Sequence, residues 1–343
     1  MTRFFAGLVV ALIGAWICVN LHTPLPWLIG SLFATATVQM AHRRLGLELR
    51  CPVAARNAGQ WAIGCALGLY FTPAVVALVA RLAPWIALGI AYAFVLGFAM
   101  AWGLRKLVAI DRATAVFAMA IGGASEMAVQ GERAGARVDR VAAAHSLRVV
   151  MVVTLIPFAY KFLGLSGVDP YEAGTRIVSA TGLVGLMALT CAGALAWQRL
   201  GAPNAWVIGP LLVAIVLTAS GHHLSALPMP LINLGQLLIG LSLGSRFTPE
   251  FFKAAPRYLS AVAVIVLAAI VVSIGFAVVV ARGTGLPLAT LVLATSPGGI
   301  AEMSLTAKLL QLGVPVVTAF HVTRMTAMVL LIGPMYRLMN RAT

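Results

Sequence analysis

Charge is what this chain has least of: Asp, Glu, Lys and Arg together make up 10% of it. No polar stretch exceeds roughly 15 residues, which leaves no room for a soluble domain. Only nine Asp and Glu face 24 Lys and Arg, giving a formal net charge of +15. That balance alone would suit nucleic acid, but the basic residues sit in short loops between apolar segments, where they orient a membrane protein. No nucleic-acid partner is expected. Histidines number six (His22, His42, His145, His222, His223 and His321), and none forms a metal-ligating cluster with the carboxylates. An iron or copper oxygenase site is therefore not expected, nor is enzyme activity or a catalytic residue. Cys18, Cys51, Cys65 and Cys191 lie scattered without a C-x-x-C spacing, so neither a disulfide nor a metal or other cofactor is expected. A cleavable leader is not expected either. Arg3 precedes an apolar run from Phe4 to Val19, but Gly14–Cys18 holds no A-x-A site, and residues 177–197 occupy the equivalent place deep inside the chain.

What is present is apolar and written twice. Hydrophobic residues make up 61% of the chain, with a mean hydropathy of +1.00, and stretches of about 20 residues recur from end to end, as membrane spans require. Asn57-Ala58-Gly59-Gln60 reappears 176 residues later as Asn233-Leu234-Gly235-Gln236, and Phe71-Thr72-Pro73 as Phe247-Thr248-Pro249. Gly122-Gly123-Ala124-Ser125-Glu126-Met127 returns as Gly298-Gly299-Ile300-Ala301-Glu302-Met303, His145 as His321 and Arg148 as Arg324. Between residues 57 and 73 the copies agree at 10 of 17 positions. A duplicated apolar chain is the signature of transporters built from two related halves around a central site. The halves are taken as 1–168 and 169–343.

Each half carries six apolar segments: near 4–20, 26–42, 53–70, 84–104, 112–132 and 138–163, then near 176–197, 204–220, 231–246, 257–281, 287–309 and 314–339. Six crossings per half would give both halves one orientation; five would invert one against the other. If the fifth segment of each half is a re-entrant hairpin and the N-terminus is inside, 17 basic residues fall inside. Only Arg81, Lys161, Arg176, Arg282 and Lys308 fall outside. If all twelve segments cross, the split is 13 to 9. The positive-inside rule favours the hairpin. It puts the loops 43–56 and 246–257 on the cytoplasmic side and 221–230 outside. The expected fold is an all-α polytopic membrane protein: an inverted repeat of five transmembrane helices plus one Gly-Gly-tipped re-entrant hairpin per half. A broken helix that crosses fully is the alternative for each hairpin.

The tips draw the candidate site. Gly122-Gly123 and Pro297-Gly298-Gly299 sit at the middle of the fifth segments, where glycine permits backbone angles that other residues resist and Pro297 removes a donor. Arms of about 10 residues, roughly 15 Å, reach the bilayer midplane. Arg148 and Arg324 alone among the basic residues lie well inside apolar segments, each three residues after a histidine and on the same helix face. Such residues are functional by default, because an arginine at that depth costs several kcal/mol unless it pairs or faces water. An internal Glu126–Arg148 or Glu302–Arg324 pair is the bland reading of the same residues. Asn57, Gln60, Asn233 and Gln236 read as interhelical hydrogen bonds. The expected substrate-binding residues are Gly122, Gly123, Ser125, Arg148, Ser296, Gly298, Gly299 and Arg324. The ion-coupling residues are Glu126, His145, Glu302 and His321.

The paired blocks, Gly-Gly-Ala-Ser-Glu-Met with His-Ser-Leu-Arg and Gly-Gly-Ile-Ala-Glu-Met with His-Val-Thr-Arg, resemble the bacterial AbrB-type membrane protein family with its internal duplication. That family carries names such as ammonia monooxygenase and regulator of gene expression. It is similar to the inverted-repeat group of cation/proton antiporters and anion transporters, whose citrate and sodium–glutamate carriers have five spans and a Gly-Gly-tipped hairpin per half. The resemblance implies a secondary transporter working by an elevator-like movement. The expected substrate is a small anionic solute, coupled to protons or to sodium. The alternative is a membrane sensor that affects gene expression indirectly. The expected setting is the bacterial inner membrane with both termini cytoplasmic, the lipid bilayer as partner, and a second copy in a homodimer as one option.

Overall fold

The computed structural model describes residues 2–168, 171, 173–175, 177–249 and 256–341. Arg176 and Lys253, which enter the charge count, and the middle of the 246–257 loop lie outside the described residues. Among the described residues every regular element is a helix. The first half holds α1 (Thr2–Asn20), α2 (Pro26–Met40), the short α3 (His42–Leu45), α4 (Val53–Gly68), α5 (Pro73–Arg81), α6 (Ala83–Leu107), α7 (Arg112–Met119), α8 (Ala124–Arg133) and α9 (Val138–Phe162). The second holds α10 (Ala180–Arg199), α11 (Ala205–Ala219), α12 (Met229–Gly244), α13 (Pro256–Thr284), α14 (Leu288–Thr295), α15 (Ile300–Leu310) and α16 (Val314–Arg341). All twelve apolar segments become helices, and the fifth of each half is two short helices broken at its Gly-Gly pair.

Local chemistry sets the boundaries. Pro52 and Pro228 precede α4 and α12 in extended conformation, as a fixed φ and a missing donor favour just before a helix. Asp111 starts α7 by accepting from the Thr114 N–H at 2.7 Å. α2 and α11 both start from a left-handed residue, Leu25 (φ 47°) and Asn204 (φ 48°). Side chains with a Cβ rarely adopt that conformation, so its recurrence marks a duplicated turn.

Among the described residues six helices, α1, α6, α9, α10, α13 and α16, are long and apolar enough to cross a membrane. Of the ten segments expected to cross, α2, α4, α11 and α12 have only 15 or 16 residues. At 1.5 Å per residue they reach roughly 23 Å, less than the ~30 Å hydrocarbon core. Their ends are cut by prolines, as at Pro26 and Pro228, and at the turn before Pro73, where α4 and α5 meet at 90°. The outward faces of the long helices are apolar: Val95, Val264, Val271 and Leu330 are all exposed, as suits contact with lipid.

The chain divides into two compact units, each drawing on both halves. Unit one comprises 1–78, 157–254 and 304–315, and unit two comprises 79–156, 255–303 and 316–343. In unit one, α1 and α2 approach at Gly14 and Gly30, and α10 and α11 at Gly193 and Gly209, so closely that a Cβ on any of the four would crowd the facing helix. The partners then exchange between halves. α12 lies on α2 through Gly240 and Gly244, and α4 lies on α11 through Gly64 and Gly68. α4 and α12 meet at Gly59 and Gly235, where an added Cβ would come within 2.8 Å of the Gly235 carbonyl and 3.1 Å of the Gly59 carbonyl. Residues 59 and 235 are repeat equivalents, so this reciprocal contact marks a local two-fold relation. Gln60 donates to Asn204 Oδ1 at 3.4 Å, the interhelical role expected of it.

In unit two, α6 packs on α13 through Tyr92 stacked on Phe276 at 3.9 Å, with the Tyr92 and Ser273 hydroxyls 2.9 Å apart. α7 and α8 fold back on each other. Gly131 of α8 lies against Phe117 of α7, and the Arg137 N–H donates to Thr114 Oγ1 at 2.8 Å. The start of α7 and the residue that follows α8 thus lie side by side. Gly135 (φ 79°) closes α8 in the left-handed turn that favours glycine.

Candidate functional site

α9 presents His145 and Arg148, and α16 presents His321 and Arg324, on one helix face in each case. All four are buried, with Arg148 3% and Arg324 6% exposed. The carbonyls that end a helix have no donor of their own and form its negative pole. In each half the guanidinium is laid across that pole of the first hairpin arm. Arg148 Nη1 donates to Ala120 O at 2.9 Å, with Met119 O at 3.4 Å, and Nη2 reaches Gly122 O at 3.4 Å. Arg324 Nη1 donates to Ser296 O at 2.7 Å, and Nη2 to Gly298 O at 2.6 Å.

Each histidine completes the cradle. Arg148 Nη2 lies 3.0 Å from His145 Nδ1 and Arg324 Nη2 lies 2.8 Å from His321 Nδ1. The Nε2 atoms lie 2.9 Å from Phe117 O and from Leu293 O. A guanidinium only donates and a carbonyl only accepts, so each ring is the neutral tautomer with its proton on Nε2. Acceptors and donors alike recur 176 residues apart, with Met119 O alone lacking a counterpart bond.

The arginines are met by carbonyls and histidine, with no carboxylate among their partners in the described residues. The internal Glu–Arg pair is therefore not what clamps the tips. Glu126 and Glu302 lie on the other side of the motif, at the starts of α8 and α15. Each carboxylate folds back over Gly123 or Gly299 so closely that a Cβ there would strike Oε2. Gly122 and Gly298 leave room in the same way for Met127 and Met303, both fully buried. This corrects the reason given for the glycines. None of the four has a positive φ, and Gly123 is extended at φ −67°. Glycine is required there for close approach of the Glu and Met side chains, which accounts for the whole Gly-Gly-x-x-Glu-Met block.

The tips also meet across the halves. Gly122 and Gly123 face Met328 and Met325 of α16, while Gly298 faces Val152 of α9. Ser125 is exposed on α8. Ser296 is buried, and its hydroxyl is turned inward to Leu293 O (2.9 Å) and Met303 Sδ (3.3 Å), so only its carbonyl serves the cradle. Two contributors escaped the sequence reading. Tyr92 joins α6 to α13 through Ser273 and Phe276, and its one signal was a tyrosine within an apolar span whose repeat equivalent is Ala268. Gln130 of α8 donates to Val329 O of α16 at 2.8 Å. Among the described residues, no group of three or more His, Cys, Asp or Glu is placed to hold a metal ion.

An all-helical membrane-type protein with a duplicated, arginine-clamped pair of Gly-Gly tips is the class that this fold and site define. The chain belongs to the AbrB family: residues 27–340 match the family described as transition state regulatory protein AbrB. It is similar to YhjN of Bacillus subtilis (strain 168), at 27% identity over 92% of this chain and 87% of that protein. It is also similar to a protein of Escherichia coli (strain K12) named as regulator AbrB, at 25% identity over 91% of this chain and 89% of that protein.

Proposed function

We propose that this chain is a secondary transporter of a small organic anion, coupled to protons and working by an elevator-like movement in the bacterial inner membrane. Its halves would cross in opposite senses, with hairpins re-entrant at their Gly-Gly tips and both termini cytoplasmic. The observation that carries this reading is the duplicated cradle. Two guanidinium charges are buried at the tips, bonded to neutral groups, beside the N-terminal ends of α8 and α15. Fixed positive charge and helix N-termini together favour an anion. Glu126 and Glu302 are the coupling groups, because each carboxylate covers the start of its helix and protonation would withdraw that negative charge as the solute arrives. His145 and His321 have both ring nitrogens engaged, so they act here as positioning residues for the arginines rather than as relay members.

The test is uptake into proteoliposomes of labelled mono-, di- and tricarboxylates under an imposed pH gradient in sodium-free buffer, with Glu302→Gln in parallel. Gradient-driven accumulation that the variant loses supports the proposal. Uptake that ignores the gradient but rises with sodium overturns the proton assignment. The name of the Escherichia coli relative favours a second reading, a membrane sensor, which predicts carboxylate binding by thermal shift with no accumulation.

A further inference from the structure

At the root of the first hairpin lies a cleft of about 570 Å³, lined by residues 107–111, including Asp111, and by Arg137, Arg140, Pro256, Arg257 and Tyr258. It sits where three apolar spans begin or end: α6 closes at Leu107, α9 opens at Val138 and α13 opens at Pro256. That is the level at which a bilayer presents its headgroups. Three guanidinium groups line it. Arg140 is held in place, stacked 5.3 Å above the Tyr258 ring, while the Tyr258 hydroxyl donates to Arg140 O at 2.9 Å. Arg137 and Arg257 are exposed, and Arg257 has no ion pair among the described residues. Negative charge is mostly committed. Asp111 is bound to the Thr114 N–H and hydroxyl at 2.7 and 2.6 Å, and Asp139 is shared between Arg137 (3.4 Å) and Arg140 (3.6 Å). Arg105, Lys106, Arg112 and Arg133 on the adjoining helix ends add to the field.

We propose that this cleft binds the phosphate group of an anionic phospholipid, gripped by Arg137, Arg140 and Arg257. Arginine pairs with phosphate bidentately, and basic pockets between membrane helices hold anionic headgroups in this way. The Arg137 N–H also ties the hairpin root to Thr114, so a lipid seated there braces the base of the hairpin that carries Gly122 and Glu126. This site is separate from the solute site and does not depend on transport.

The experiment uses the full chain purified in detergent. Thermal shift is titrated with phosphatidylglycerol, with phosphatidylcholine and with inorganic phosphate. The variants are Arg137→Gln/Arg257→Gln and, as a control that removes the same charge from another loop, Arg43→Gln/Arg44→Gln. At about 1 kcal/mol per basic residue near a charged headgroup, the cleft variant should bind phosphatidylglycerol roughly 30-fold more weakly. The control should bind like the wild type, and phosphatidylcholine should have no effect. The same pattern with inorganic phosphate alone would assign the cleft to a soluble phosphate rather than to a lipid. Equal weakening in both variants, or weakening in neither, overturns the proposal.

Discussion

Arg324 spans Ser296 O, Gly298 O and His321 Nδ1 with one planar group. A lysine brings a single point charge on a flexible stem and cannot reproduce that fork. Arg324→Lys should therefore leave at least one buried carbonyl without a donor, at about 1–3 kcal/mol, and lower the melting temperature in detergent. An unchanged melting temperature would mean that the cradle does not hold the tip. The arginines and their histidines were legible in the sequence, because charge inside an apolar segment stands out and the pairs repeat. Their partners were not, because Ala120, Gly122, Ser296 and Gly298 contribute carbonyl oxygens that every residue type carries. Sequence reading therefore turned to Glu126 and Glu302 as the arginines' natural partners, whereas the structure sets those carboxylates against the second glycines.

Within the hairpin, the two glycines of each tip differ in what they admit. Gly122→Ala meets the flexible end of Met127, at 3.0 Å from Cε, which can shift. Gly123→Ala meets the Glu126 carboxylate itself, and with it the proposed coupling group. Gly123→Ala and Gly299→Ala should thus abolish gradient-driven uptake in proteoliposomes while circular dichroism stays helical, with Gly122→Ala retaining the larger share of uptake. Equal uptake by all three would separate the carboxylates from coupling. The existence of the broken fifth segments was readable from paired glycines at matching positions. That the two ends of the first lie side by side was not, because the contact of Arg137 N–H on Thr114 Oγ1 spans 23 residues and no local pattern announces it. The exact ends of α2, α4, α11 and α12 were less legible, since apolar residues continue past them and hydropathy alone does not see the turns at Pro26 and Pro73.

Across the whole molecule, the duplication was plain in the sequence but the division into units was not, because each unit takes helices from both halves. Reciprocal contacts such as Gly59 with Gly235 depend on which helix meets which, and glycine spacing does not name the partner. The inverted topology remains the proposal most open to direct measurement. A single cysteine at exposed Arg50 should be shielded from an impermeant maleimide in intact cells and should label in inverted vesicles; labelling from outside would reverse the orientation. The background must lack native cysteines, although neighbouring Cys51 would react slowly, since burial pushes its thiol up and the thiolate is the nucleophile.

Unit one is joined largely through glycines: Gly14 on Gly30, Gly193 on Gly209, Gly59 on Gly235, with Gly64, Gly68, Gly240 and Gly244 set against the backbones of α11 and α2. Where main chains touch directly, few side-chain rotamers remain to rearrange and little void volume is left to squeeze. Such a body has low compressibility and resists shear between its helices. Unit two, by contrast, rests its hairpin tips on Met127, Met303, Met325 and Met328, flexible and polarizable side chains that re-pack at small cost. Within unit two, local strain is therefore taken up at the methionine-lined tips, whereas unit one has little slack of its own.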